Sequence, residues 1–417
     1  MTRWVVVGGG AAGSVVAARL SERPDHAVTL IEAGPDHGPA PVPGDVGPVL
    51  DAPARLADAM VVRRAGTAAE PYHQGAGLGG SSLVNGAVVI GDLDAERAGH
   101  DLPIEAPWSL GGVGRALLDT APDAAPVGLV RREGRRVTAA DAYLRPAMHR
   151  DNLTIVTGGV VERVAIDAGR AIGAIAADGI EYEADRVVLC AGAFRTPEIL
   201  LRSGVDVAGV GEGLQDHAGV AISLGLEGDA VGADAPATTV TVERPGRQIV
   251  ALNHVPGDPA IGVLLAGRLD VASMGRVSLP DPDGPPLIEL GQLSVERDLD
   301  GLAAVIAEAF ELLDDDAFRR IVSDVYVDDA GTPASSLGGD PVRIRGWASE
   351  RLGGYHHASG SCRMGVACGT DGAVEGHEHL FVGDASLLPG VPARNPYLEV
   401  VRLAERLGAR WRDDPVT

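Results

Sequence analysis

The sequence predicts an α/β protein with a smaller α+β second domain, and three observations carry that expectation. The first is a β-branched run, Val5-Val6-Val7, that meets glycines at positions 8, 10 and 13. The second is the same pattern near residue 190, where Arg186-Val187-Val188-Leu189-Cys190 runs into Ala191-Gly192-Ala193 and a helical stretch. The third is a change of character after about residue 220, where short strands are divided by turns such as Pro256-Gly257-Asp258-Pro259. At 417 residues the chain exceeds what one hydrophobic core usually holds, so two domains are expected.

The first of these units is the organising one. Gly8, Gly10 and Gly13 have the G-x-G-x-x-G spacing between a strand and a helix from Val15 to Leu20. One glycine allows the tight turn, one lets the backbone approach a pyrophosphate, and one lets helix and strand pack closely. The helix start offers free N–H groups and the positive end of its dipole to phosphate. A second strand, Val28-Thr29-Leu30-Ile31, ends in Glu32, 19 residues after Gly13 and near the usual offset of a ribose-binding carboxylate. An acid there favours a free ribose hydroxyl over a 2′-phosphate. The unit reads as Rossmann-like and dinucleotide-binding, with NAD and FAD both open at this stage.

Composition excludes several functions. The net charge is −23, and every basic residue is arginine, with no lysine in the chain. Such a field repels phosphate backbones and anionic lipid surfaces, and 3% aromatic content leaves no stacking platform for single strands. Nucleic acid and membrane are therefore not expected partners. Three cysteines, Cys190, Cys362 and Cys368, make neither a disulfide framework nor a zinc site. With no secretory or membrane-spanning pattern, the reading is cytoplasmic.

The remaining elements follow in order. Gly34 to Pro48 reads as a Pro/Gly-rich loop, and Leu50 to Val62 as a short helix. Tyr72 to Gly86 carries five glycines, a backbone that turns tightly or lies against a flat ligand. Asp141 to Met148 reads as helical. Leu153–Val156, Val160–Ile166, Ala171–Ala176 and Asp185–Cys190 read as strands. A helix is expected from Thr196 to Ser203, with Pro197 in its first turn. Strands are expected at 240–242, 249–255, 262–266 and 276–279, then an amphipathic helix from Val295 to Leu313. The tail returns to α/β style with a strand at Leu380-Phe381-Val382 and a helix from about Asn395, capped by that residue with Pro396 at its first position. The expected division is a discontinuous nucleotide-binding domain, 1–219 with 346–417 and compact insertions near 36–70 and 91–140, and an antiparallel-sheet domain at 220–345.

Several stretches share one resemblance. Gly79-Gly80-Ser81-Ser82-Leu83-Val84-Asn85 resembles the glycine–serine–asparagine loop of the glucose–methanol–choline (GMC) flavin oxidoreductases. Gly192 to Gly204 is similar to that family's second pattern, and Val210 to His217 to its glycine-x-x-leucine-glutamine-aspartate-histidine turn. His357-Ala358-Ser359-Gly360-Ser361-Cys362-Arg363-Met364-Gly365, Gly383-Asp384-Ala385-Ser386 and Asn395-Pro396 resemble its C-terminal segments.

The resemblance implies FAD, with Gly8, Gly10, Ala11, Ala12, Gly13, Glu32 and Ala33 at the adenosine and phosphate end and Val161 at the adenine. It places Gly79, Gly80, Ser81, Leu83, Asn85 and Gly86 along the isoalloxazine and pyrophosphate. Ala191, Gly192, Asp384, Ala385, Asn395 and Pro396 complete the cofactor set, with Asp384 and Ala385 over the ribitol and phosphates. Val84 stands where some relatives carry a flavin-linked histidine, so the flavin is expected to be non-covalent. The implied activity is oxidation of a CH–OH group of a small-molecule alcohol, with hydride passing to flavin N5. A neutral imidazole suits the proton's acceptor near pH 7; His357 takes that role and Asn395 holds the substrate oxygen. His217 is expected to be structural, and no metal is implied. A flavin-containing lyase and a flavin electron-relay protein with a degenerate substrate site are the alternatives. The compact stretches 91–140 and 220–345 suggest a thin roof over the substrate and a possible redox partner, a look shared with a branch tied to the mycofactocin redox system.

Overall fold

The computed structural model describes residues 1–38, 55–232, 235–328 and 330–414. Its first layer is a parallel sheet built on the expected pattern. β1 (Thr2–Val7) leads into α1 (Ala11–Leu20) and β2 (His26–Glu32). β3 (Leu153–Thr157), β4 (Arg186–Leu189), α2 (Gly192–Arg202), β5 (Leu380–Val382) and α3 (Tyr397–Asp413) complete it. Among the described residues the strand order is β3-β2-β1-β4-β5, and every pairing is parallel. The near-continuous apolar strands fit a sheet covered on both faces: Val6, Val187, Val188 and Leu189 are fully buried. The order reverses at β1, so the loops after β1 and β4 open a crevice at the carboxyl ends of the strands.

The second layer is antiparallel, as expected. Among the described residues seven strands form it, in the order Val322–Tyr326, Ala218–Leu226, Ile261–Arg268, Arg247–Leu252, Thr238–Arg244 and Ala124–Pro126, with Gly353–Gly354 pairing Ala218–Leu226. The helix Glu296–Leu313 lays Leu302, Val305, Ile306 and Ala309 into its core. That core extends beyond 220–345. It takes Val113 and Leu117 from the helix Gly111–Thr120, and Trp347 and Ala348 from the far half of the helix Pro341–Glu350, which crosses that boundary.

A third, mixed sheet joins Glu212–Leu214, Gly275–Ser278, Leu287–Glu289, Leu56–Val62 and Glu70–Gly75. It corrects one expectation. Residues 39–54 lie outside the described residues, and Leu56–Val62 is a strand where a helix was expected. Met60 is exposed and Val61 fully buried, the alternation of a strand, and Val61 pairs with Ile288 in parallel.

Two helix starts also differ. α2 begins at Gly192, not Thr196, which places Pro197 inside the helix. α3 begins at Tyr397, with Pro396 as its cap residue and no side-chain cap. Asn395 therefore lies before the helix and does not cap it. Among the described residues no helix is long and apolar enough to cross a membrane.

Candidate active site

The carboxyl ends of β1, β2, β4 and β5 bring the distant glycine segments together. Gly8 follows β1, Glu32 ends β2, Ala191 and Gly192 follow β4, and Asp384 follows β5. Gly13 packs so closely that a Cβ there would lie 1.8 Å from the Gly8 carbonyl oxygen. The second glycine loop lies against the first: the Gly79 amide donates to the Gly9 carbonyl at 2.8 Å, and a Cβ on Gly80 would lie 2.7 Å from the Gly10 Cα. α1 opens at Ala11, Ala12 and Gly13 with no side-chain cap and no acid in its first turn. Its leading N–H groups thus face the crevice with the dipole's positive end, a set that fits a diphosphate.

Glu32 is buried beside this turn. Its Oε2 accepts from the Gly9 amide at 2.7 Å and its Oε1 from the Gly34 amide at 2.8 Å. Burial pushes its pKa up, against those donors. The Gly77 backbone adds a third donor, and the acceptor capacity left on the carboxylate fits a ribose hydroxyl. Ala33 beside it is exposed. The Gly159 amide donates to the Glu32 carbonyl at 3.0 Å and so fixes the approach to the buried Val161.

Asp384 is different. Its Oδ2 accepts from the Gly192 amide (2.7 Å) and the Thr196 hydroxyl (2.6 Å), and its Oδ1 from the Ser386 amide (2.8 Å) and hydroxyl (2.6 Å). These four donors fill the carboxylate. The side chain is a staple between the loops after β4 and β5, and it holds Ala191, Gly192 and Ala385 beside the crevice. In the second glycine loop Ser81 is exposed and Leu83 is buried with Val84. Asn85 Oδ1 accepts from Arg136 at 2.7 Å and from the Ala87 amide at 3.0 Å, with Gly86 between them.

His357 sits on the segment after Gly353–Gly354, half-buried between the two main layers. Its amide donates to Asp216 Oδ1 at 2.9 Å, and the next amide, Ala358, donates to the Tyr72 hydroxyl at 3.1 Å. Tyr72 in turn donates to Asp216 Oδ2 at 3.2 Å. The backbone at His357 is therefore clamped by two buried side chains from other segments. The imidazole Nδ1 lies 2.8 Å from His217 Nδ1, and His217 Nε2 lies 2.9 Å from the Pro392 carbonyl oxygen. Burial, with His217 and His356 nearby, holds the pKa of His357 well below the ordinary imidazole value. It is neutral near pH 7 and can accept a proton.

Pro392 is three residues before Asn395, so His217 ties the two expected catalytic segments together. Asn395 Oδ1 is buried and has no hydrogen-bond partner among the described residues. A buried acceptor left open costs about 1–3 kcal/mol, and it is available to a ligand hydroxyl. His356 turns away: at φ +61° its ring lies 4.6 Å from Tyr72 and stacks at 6.2 Å on His73. His73 is thus placed with His356 and Tyr72. Sequence reasoning missed Tyr72 and Asp216 and gave His217 no role at the base. The available signal was two titratable residues, Asp216-His217, at the mouth of the apolar strand Ala218–Leu226.

The GMC oxidoreductase family models match residues 120–219 and 271–404, and an NAD(P)-binding Rossmann-like domain model matches 6–55. An uncharacterised GMC-type oxidoreductase of Rhodococcus erythropolis is 29% identical over 501 residues, covering 97% of each chain. A 5-(hydroxymethyl)furfural oxidase of Methylovorus sp. (strain MP688) is 27% identical over 527 residues, covering 97% of each. An oxygen-dependent choline dehydrogenase of Paraburkholderia phymatum is 28% identical, covering 98% of this chain and 92% of its own. These alignments are longer than the 417 residues here, so the relatives carry inserted segments that this chain lacks. Among solved structures, pyridoxine 4-oxidase from Mesorbium loti superimposes with a TM-score of 0.88 over 100% of both chains at 24% identity. An FAD-dependent oxidoreductase from Chaetomium thermophilum gives 0.81 over 98% of both at 16% identity. Both share the fold.

Proposed function

The chain belongs to the GMC oxidoreductase family, and from that premise we propose that it holds FAD non-covalently and oxidises the CH–OH group of a small-molecule alcohol. Gly8 to Gly13 and Glu32 hold the adenosine and phosphate end, and Gly79 to Gly86, Ala191, Gly192 and Ala385 line the path toward the ring. When bound, FAD supplies the acceptor for the hydride. The rest is the work of side chains. Asn395 Oδ1 takes the hydrogen bond of the substrate hydroxyl and fixes its oxygen. His357 accepts the hydroxyl proton on its imidazole as the carbon is oxidised. Val84 offers no nucleophile to the flavin at the loop position where a covalent link would form.

The observation that carries this reading is geometric: the His357 backbone is clamped by Asp216 and Tyr72, and its imidazole is tied through His217 to the segment bearing the open Asn395 acceptor. The test is a panel of alcohols added anaerobically to the flavin-loaded protein while flavin absorbance is followed. Bleaching by an alcohol supports the reading; product formed without bleaching sinks it. His357→Ala is expected to slow bleaching by the active alcohol about 10²–10⁴-fold, the usual worth of a positioned base. An unchanged rate would remove His357 from the mechanism.

A further inference from the structure

We propose that His217 is a positioning residue that holds His357 in the tautomer protonated at Nδ1, leaving the Nε2 lone pair as the proton acceptor. The inference deepens the role of His357 given above and rests on it. A carbonyl oxygen can only accept, so the 2.9 Å contact with the Pro392 carbonyl requires a proton on His217 Nε2. A neutral imidazole carries one N–H, so His217 Nδ1 must then be an acceptor. The 2.8 Å contact between the two Nδ1 atoms consequently needs its proton on His357. The reverse arrangement, with the His217 proton on Nδ1 toward His357 or the Leu269 carbonyl, would set a bare nitrogen against the Pro392 oxygen at 2.9 Å.

His217 is fully buried, and its pKa is pushed down to about 4 by burial, so it remains a neutral acceptor at working pH. The groups facing the pair are Tyr355, whose ring lies 5.9 Å from His217 and 5.4 Å from His357, the Pro392 and Leu269 carbonyls, and His356. In the reaction the substrate O–H bond breaks and a new N–H bond forms at His357 Nε2. The Nδ1–H bond to His217 stays in place and faces the new positive charge. The backbone link to Pro392 makes the same residue set the distance between the base and Asn395. The logic is that of a base oriented by a third group.

The test uses the FAD-loaded protein labelled with 15N-histidine, in which imidazole nitrogen shifts report the tautomer of His357, assigned by its loss in His357→Ala. Two variants separate the contacts. His217→Asn keeps an acceptor where Nδ1 was. His217→Gln keeps a donor toward Pro392 and loses that acceptor. The expected result is Nδ1–H at His357 in the wild type and in His217→Asn, and Nε2–H in His217→Gln. Anaerobic flavin reduction in His217→Gln should slow about 10- to 100-fold, with KM changed no more than about twofold. A wild-type His357 protonated at Nε2, or a tautomer unmoved in His217→Gln, overturns the inference whatever the base proves to be. A tautomer that flips with no change in rate overturns the assignment of His357 as base and leaves the His217 hydrogen bond standing.

Discussion

Asp216 accepts hydrogen bonds from the Tyr72 hydroxyl and the His357 amide, yet burial outweighs them and raises its pKa to about 6. The ordinary value is 3.8. Between these two values the folded chain holds a proton that the unfolded chain has released. Stability from this group is therefore full below about pH 4 and falls as pH climbs through about 6, by about 2–3 kcal/mol. Urea midpoints measured from pH 4 to 7 should show this decline in the wild type, and Asp216→Asn should flatten it. An identical slope in the variant would assign the effect elsewhere. The example also shows what a sequence conceals at this scale. His357 is legible because it stands in a dense local pattern, His-Ala-Ser-Gly-Ser-Cys. Its clamp is not, because Tyr72 and Asp216 lie 286 and 141 positions from the amides they bind. No spacing rule reaches that far.

Among the elements, α2 gives the most instructive departure. A proline inside a helix leaves the carbonyl four residues back without its donor. For Pro197 that carbonyl belongs to Ala193, and the Ser361 hydroxyl donates to it at 2.6 Å. The break in the ladder thus becomes the joint between α2 and the segment that carries His357. Ser361→Ala should cost about 1–3 kcal/mol, because it strands a buried acceptor. In a Pro197→Ala background, where residue 197 regains its N–H, the same change should cost less by about 1 kcal/mol. Additive losses in chemical denaturation would show that the two sites are independent. Local signals placed the strands of both main sheets well, since β-branched runs and turn residues are written in sequence. They misplaced Leu56–Val62, whose strand partners include Leu287–Glu289, and they started α2 late because Pro197 resembles a first-turn residue. The open Asn395 acceptor depends on α3 starting one residue later than its Asn-Pro signature suggests.

At the scale of the molecule, two large cores flank a small third one that holds Tyr72. The α/β class and the antiparallel second layer were legible throughout, whereas the helix Gly111–Thr120, and Trp347 and Ala348 of the helix Pro341–Glu350, joined the second core from outside 220–345. Bound FAD would span the crevice of the parallel sheet and stabilise only the folded chain. Acid or denaturant should release the flavin intact, and the stripped protein should melt lower. Titrating FAD back should restore about 3 kcal/mol at a hundredfold excess over Kd. Flavin that stays with the denatured chain would refute the non-covalent reading.

The order β3-β2-β1-β4-β5 also has a consequence for biosynthesis. The edge strand Leu380–Val382 and the helix Tyr397–Asp413, whose Gly408 packs on Val16 and Arg19 of α1, close a layer that Thr2–Val7 begins. At roughly 5–20 residues per second of translation, the nascent β1 and α1 wait on the order of tens of seconds for those partners. During that interval the apolar faces of β1 and α1 lack their native cover. Exposure of that apolar surface during synthesis is therefore built into the topology, and the antiparallel layer, whose strands lie between residues 124 and 354, is complete in sequence earlier.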